Sequence, residues 1–234
     1  MKISILLPTK ARRNNLIRLF NSIKNTARNI NNIEISMRCD YDDSVAPVVY
    51  EEFKKSLDLK FKLGESQLDR SIFWKDALSN ATGEIFMSCG DDIVFETNHW
   101  DDIVINEFLK YEDRILFLFG NDGYQFGNMG AHNFVHKNWV KALGYYLPTG
   151  FKSYFQDNWI DDVARKANRR KYMPDLKITH MHYVVGKAPK DEIYNNIQDT
   201  LLEDKEQYMN REDERIRDAN ILLKFIEEYQ NEKD

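Results

Sequence analysis

Short apolar runs alternate with helix-spaced segments from residue 3 to residue 88, and this order constrains the fold more than any other feature. Ile3 to Leu7 is a run with the length of a buried strand, ended by Pro8. Arg12 to Ala27 carries Leu16, Ile17, Leu19, Phe20 and Ile23 at helical spacing. Ile33 to Cys39 reads as a second strand, followed by the acidic loop Asp40-Tyr41-Asp42-Asp43-Ser44. A helix through Val48 to Leu57, a strand at Leu59 to Leu63 and a helix over Leu68 to Ala81 follow, with Gly83 stopping the last helix. Glu84 to Ser88 is the fourth strand. This βαβαβαβ order predicts an α/β fold, a Rossmann-type, mainly parallel sheet flanked by helices.

Open sheets of that kind bind ligands beyond the carboxyl ends of their strands. The residues that matter are therefore Pro8-Thr9-Lys10, then Asp40 to Asp43, then Gly90-Asp91-Asp92. Further along, Ile115 to Phe119 is a strand, and Asn138 to Leu143 and Asp157 to Ala167 are helical. Gly120, Gly123, Gly127 and Gly130 lie in a loop-like stretch that lacks the following helix of a dinucleotide fingerprint. Lys177 to His182 is a strand carrying two histidines. From Asp191 the chain is charged and helical, with a narrow apolar stripe at Ile216, Leu223, Ile226 and Tyr229. The expected division is a domain over 1–190 and a helical C-terminal extension over 191–234, whose stripe could pair two copies.

Charge follows the same division. The whole chain has a net charge of −5, which argues against a protein that coats nucleic acid non-specifically. Residues 191–234 hold 14 acids and 6 bases, leaving 27 bases against 24 acids over residues 1–190, so the body is mildly basic. An apolar share of 42% excludes a disordered chain. Cys39 and Cys89 each end an apolar run and have no partner at zinc-ligand spacing, so both read as buried free thiols in a reducing compartment. The N-terminal apolar run is too short for a signal peptide, and no run approaches the roughly 18 residues of a membrane span. A cytoplasmic protein is expected.

Several clusters could carry chemistry. Asp91 and Asp92 follow a buried strand, and adjacent carboxylates there suit a hard divalent cation bridging to a diphosphate, or else a solvated turn. The acidic loop from Asp40 could accept hydrogen bonds from a ribose or a base, or form a plain surface turn. His180 and His182 fall on one side of a strand, either as metal ligands or as structural histidines. Asp157 and Asp161 lie on one face at a helix start, where one could serve as a general base or simply favour the helix dipole. The first thirty residues hold Lys2, Lys10, Arg12, Arg13, Arg18, Lys24 and Arg28 and no acid; of these Arg12 is singled out for a phosphate-bearing ligand. The run Arg165, Lys166, Arg169, Arg170 and Lys171 is either a solvated helix face or a contact for an anionic acceptor.

Taken in order, these pieces resemble the family 2 nucleotide-sugar glycosyltransferases of the GT-A fold. Ser4-Ile5-Leu6-Leu7-Pro8-Thr9-Lys10-Ala11-Arg12 looks like that family's first strand and Pro-Thr turn. Asp40 stands where the family holds its uracil-contacting aspartate, and Ala81-Thr82-Gly83-Glu84-Ile85 with Gly90-Asp91-Asp92 resembles the stretch into its metal-binding Asp-x-Asp element. Gln156-Asp157 lies where the family often has Glu-Asp, and Tyr172-Met173-Pro174-Asp175 with Ile178-Thr179-His180 looks like the strand ending in its metal-ligand histidine. Thr179-His180-Met181-His182, Gly186-Lys187-Ala188, Asp191 and Tyr194 resemble a divergent subgroup often carried by phages, which would place the protein in a host cytoplasm. The metal element is Gly-Asp-Asp and Gln156 replaces the usual Glu.

The resemblance implies a metal-dependent inverting glycosyltransferase that moves a sugar from a nucleoside diphosphate sugar, a UDP-sugar first, to an acceptor hydroxyl. Mn²⁺ or Mg²⁺ would be held by Asp92 with His180 or His182, Asp91 would sit near the ribose or metal, and Asp157 would be the base. Pro8, Thr9, Arg12 and Asp40 would line the nucleotide cleft. A glycan, a protein, a lipid head group or a modified DNA base would serve as acceptor. A non-catalytic nucleotide-sugar-binding or virion-associated module remains open. So does a nucleotidyltransferase, although Pro8-Thr9-Lys10-Ala11-Arg12 lacks a Gly-rich phosphate loop.

Overall fold

The structure, a computed structural model, describes residues 1–67, 69–187 and 200–232. Leu68, Ala188, Asp191, Tyr194 and the expected boundary at 190 lie outside the described residues. The elements in order are β1 (Ile3–Pro8), α1 (Arg13–Thr26), β2 (Ile33–Asp40), α2 (Ala46–Phe53), β3 (Asp58–Gly64), α3 (Ser71–Ser79), β4 (Ile85–Ser88) and β5 (Ile93–Phe95). There follow α4 (Trp100–Leu109), β6 (Phe117–Asn121), β7 (Asn133–His136), α5 (Lys137–Leu143), α6 (Gln156–Lys166), β8 (Arg170–His180), α7 (Leu201–Asn210) and α8 (Glu212–Asn231). The strands form an eight-stranded sheet in the order β3-β2-β1-β4-β7-β6-β8-β5. β1 is parallel to both β2 and β4, and β2 is parallel to β3. This is the mainly parallel α/β sheet that the alternation predicts.

Antiparallel β7 separates β4 from β6. Neither β7 nor β5 was expected from the sequence, since strands of four and three residues are too short to show a period. α4 was also unassigned, although Trp100, Val104 and Phe108 stand at helical spacing and are buried. β8 begins earlier and ends sooner than the expected Lys177 to His182. Its first part pairs with β6 in parallel and its last part with β5 in antiparallel register. The shift falls between Gly120 and Asn121, where a Cβ on Gly120 would meet the Leu176 carbonyl at 2.2 Å, so only glycine fits. His182 lies beyond the end of β8, outside strand alternation.

Both faces of the sheet are buried, as βα crossovers require. Ile3, Ile5 and Leu7 of β1 face one core with Leu16, Phe20, Trp100 and Phe108, while Leu6 faces the other with Phe86, Phe117, Trp139 and Trp159. α8 joins that second core through Ala219, Leu222 and Ile226. Of the expected stripe Ile226 is buried, whereas Ile216 and Leu223 are exposed. Cys39 and Cys89 are buried free thiols, and burial raises the pKa of each. No described helix is long and apolar enough to cross a membrane.

Glu34 on β2 is fully buried and joins three segments. It accepts hydrogen bonds from Ser4 Oγ at 2.6 Å, Thr82 Oγ1 at 2.6 Å and the Gly83 amide at 3.2 Å, with Lys2 Nζ at 2.7 Å. Burial pushes its pKa up, but Lys2, Ser4 and Thr82 outweigh burial and hold it well below the usual carboxylate range. A depressed carboxyl stabilises the fold above its unfolded pKa of about 4.3, and that stabilisation fades as pH falls through the folded value. Glu34→Ala should cost roughly 3 kcal/mol in denaturant unfolding at pH 7. The deficit against the wild type should shrink below about pH 4. A variant as stable as the wild type at pH 7 would contradict this role.

Candidate active site

Parallel pairing brings the carboxyl ends of β1, β2 and β4 to one rim. Thr9, just after β1, donates its hydroxyl to Asp91 Oδ2 at 2.6 Å, and its amide donates to the Arg38 carbonyl of β2 at 3.0 Å. Arg12 Nη1 lies 2.9 Å from Asp91 Oδ1 and 3.8 Å from Asp92 Oδ2. Asp91 is 4% exposed. Burial raises its pKa, Arg12 and Thr9 oppose the rise, and the Asp92 charge adds to it. Asp91 therefore anchors the β1 turn to the end of β4.

Asp92 faces a different set of groups. Its carbonyl accepts from the Met181 amide at 2.7 Å, and Ile93 pairs with His180, so β5 and β8 lock Asp92 beside the histidine. His180 Nε2 lies 3.4 Å from Asp92 Oδ2. The third member is His132, in the loop before β7, whose ring sits 4.7 Å from that of His180. One ligand atom each of Asp92, His132 and His180 falls within 4.8 Å of the others. Gly90 makes room for this: a Cβ there would meet Asp92 Oδ1 at 2.6 Å and His132 Cε1 at 3.2 Å.

The trio fits a divalent cation. His132 Nε2 is buried without a hydrogen-bond partner. Burial and then the His180 charge lower the His132 pKa to about 4, so its lone pair is available at neutral pH. The Gly90 amide approaches the other ring nitrogen, Nδ1, at 3.4 Å. Two imidazoles beside one carboxylate suit a transition ion better than Mg²⁺, which favours an all-oxygen octahedron. His182 stands next to the trio but outside it. Its Nδ1 accepts from the Val184 amide at 3.2 Å, and its ring stacks on Tyr124 at 4.8 Å.

The loop that carries His132 is fixed from two sides. Asp122 Oδ1 accepts from the amides of Tyr124, Gln125 and Phe126, and its carbonyl accepts from the His180 amide at 2.8 Å. Asp161 of α6 accepts from the Gly130 amide at 2.9 Å while pairing with Arg170 at 2.6 Å and Arg165 at 2.8 Å. Asp161 thus ties α6 to the loop and to β8. Asp157 is partly buried on the first turn, and Oδ1 accepts from the Asn158 amide at 2.9 Å. Burial raises its pKa, the α6 backbone amides oppose the rise, and His180 is near enough to act on it.

At the β2 end of the rim, Asp40 is buried with Lys10 Nζ at 2.9 Å and Arg38 beside it. Burial pushes its pKa up, yet Lys10 and Arg38 prevail and hold it below the usual value. Pro8 pairs with Arg38 at the last position of β1. Asp43 is a structural acid, accepting from the amides of Ala11, Val45 and Ala46. Arg70, just before α3, lies within electrostatic reach of Arg12 and Asp40. Its pKa is lowered by burial and by Arg12, with Asp40 opposing. Neither Arg70 nor His132 was expected from the sequence, because each is a lone residue in a loop whose placement depends on sheet register.

The basic run has a different fate. Arg165 and Arg170 pair with Asp161, Lys166 with Asp162, Arg169 with Asp113 at 3.0 Å and Lys171 with Glu107 at 3.9 Å. These cations hold elements together.

No protein-family model matches the chain, and no curated protein sequence matches it. Solved structures do. S. aureus TarS is similar over 76% of this chain, with 18% identity and a TM-score of 0.62; the chain spans 36% of that structure's length. A 1–349 form of TarS in complex with UDP-GlcNAc is similar over 84% of this chain and 64% of its own, with 16% identity and a TM-score of 0.63. The mannosyltransferase PcManGT from Pyrobaculum calidifontis, in complex with GDP-Man and Mn²⁺, is similar over 97% of this chain and 73% of its own, with 13% identity and a TM-score of 0.68. These likenesses show a shared fold, the one the sequence resemblance implies.

Burial of Asp157 has a direct test. Carboxyl-carbon NMR should place its titration midpoint above the ordinary aspartate value of about 3.9. A midpoint at or below that value would contradict the described environment.

Proposed function

We propose that the protein is a metal-dependent, inverting glycosyltransferase that transfers a sugar from a UDP-sugar to an acceptor hydroxyl. The observation that carries this reading is the convergence of Asp92, His132 and His180 beside the Asp91–Thr9–Arg12 anchor. The fold shared with TarS and with a mannosyltransferase supports it. Asp92, His132 and His180 would hold the Mn²⁺, which when bound acts as a Lewis acid toward a diphosphate leaving group.

The protein's own groups divide the remaining work. Asp40 accepts hydrogen bonds from the nucleobase, held as an anion by Lys10 and Arg38. Arg12 and Arg70 bring positive charge to the diphosphate side of the cleft. Asp157 takes the proton from the acceptor hydroxyl as it attacks the anomeric carbon. Its raised pKa suits that task, because a base that holds its proton more tightly accepts it more readily. One base suffices for inversion, since the displacement is in line.

Two variants separate these roles. Asp157→Asn should lower turnover of a UDP-sugar by roughly 100-fold or more while leaving its Mn²⁺-dependent affinity nearly intact. His132→Ala should weaken that affinity about tenfold or more by calorimetry. Undiminished turnover in the first would remove Asp157 from the role of base. Nucleotide binding by the wild type that ignores Mn²⁺ would overturn the metal-dependent reading.

A further inference from the structure

The C-terminal extension reaches the segment before α6 through one buried carboxylate. Asp204 of α7 is 1% exposed. It accepts three backbone hydrogen bonds at 2.8 Å each, from Lys152 to Oδ1 and from Ser153 and Tyr154 to Oδ2. A single carboxylate thus satisfies consecutive amides of the segment that leads into α6. The rest of the extension grips the same segment. Arg211 donates to the Thr149 carbonyl at 2.9 Å and lies over the Trp159 ring at 4.6 Å. The Phe155 and Tyr208 rings are 5.2 Å apart, and Arg215 of α8 pairs with Asp162 of α6 at 2.7 Å.

The other side of this segment touches the nucleotide cleft. The Gly150 amide donates to Asp69 Oδ2 at 2.8 Å, next to Arg70. Tyr154 lies within electrostatic reach of Arg70, Tyr124 and Tyr183. Phe155, which closes the segment before α6, has a φ of 68°, a left-handed conformation that costs a bulky residue energy unless its neighbours hold it. Asp157 follows two residues later.

We propose that Asp204 is a positioning residue, whose grip on residues 152–154 sets Tyr154 and the first turn of α6, and with it Asp157, on the acceptor side of the site. The inference rests on the glycosyltransferase reading for its chemical consequence, though not for its geometry. The extension is then part of the working site. Loosening the segment costs alignment at the base and leaves in place the contacts after β1 and β2 and the trio of Asp92, His132 and His180.

The experiment uses the full chain with Asp204→Ala, and Asp204→Asn as the milder change that keeps one acceptor oxygen. Hydrogen exchange, which needs no substrate, should show faster amide exchange over residues 152–159 with β1 and β4 unchanged. Calorimetry with UDP and Mn²⁺ should give affinities within about twofold of the wild type. Hydrolysis of UDP-GlcNAc, with water as acceptor, should lose about tenfold or more in kcat for Asp204→Ala and less for Asp204→Asn. Unchanged exchange over 156–159 would overturn the positioning role whatever the chemistry. Wild-type kcat in Asp204→Ala, or a loss of UDP affinity as large as the loss of kcat, would overturn it too. A wild type that does not bind UDP with Mn²⁺ would instead sink the glycosyltransferase reading, with the exchange result still deciding the geometry.

Discussion

β1 is paired in parallel on both of its edges, and the candidate site depends on that constraint. Parallel neighbours point their carboxyl ends the same way, so the turns after β1, β2 and β4 meet at one rim. Segments as distant as Thr9, Asp40 and Asp91 become neighbours without any long loop. The cost of bringing an arginine, several acids and their partners together there is borne by the two cores that bury both faces of the sheet. Glu34 reinforces the arrangement at the other end of these strands, tying Ser4, Thr82 and Gly83 to β2.

Two adjacent carboxylates do different work because their surroundings differ. Asp91 is buried against Thr9 and Arg12 and serves the architecture of the turn. Asp92 points to His180 and His132, where the buried His132 Nε2 meets no hydrogen-bond partner. An unsatisfied buried imidazole beside a carboxylate is costly in an empty core and useful beside a cation. Two carboxylates of α6 differ in the same way: Asp161 is held by two arginines and an amide, while Asp157 accepts from the Asn158 amide of its own helix.

Much of this was legible in the sequence. The alternation through residue 88 foretold the parallel half of the sheet, and the rim rule pointed to Asp40, Asp91 and Asp92. His180 came from a strand pattern together with the family resemblance. What was not legible depends on register between short, distant strands. His132 reaches the trio only because β7 inserts between β4 and β6, and four residues carry no readable period. Of the expected C-terminal stripe Ile226 is buried, while Ile216 and Leu223 are exposed, because buried Arg215 and Asp218 face inward with Leu222 and disguise the apolar side. Asp204 was invisible as one acid among many in an acidic tail. The basic run is accounted for by its ion pairs, which no spacing rule would have assigned.

The central claim is that Asp92, His132 and His180 form one metal-binding centre that serves a nucleoside diphosphate. Anomalous diffraction from crystals grown with Mn²⁺ and UDP tests it most directly. The account predicts a manganese peak bounded by these three side chains, with diphosphate density reaching it past Arg12. A peak bound elsewhere, with the trio bare in the same crystal, would contradict it.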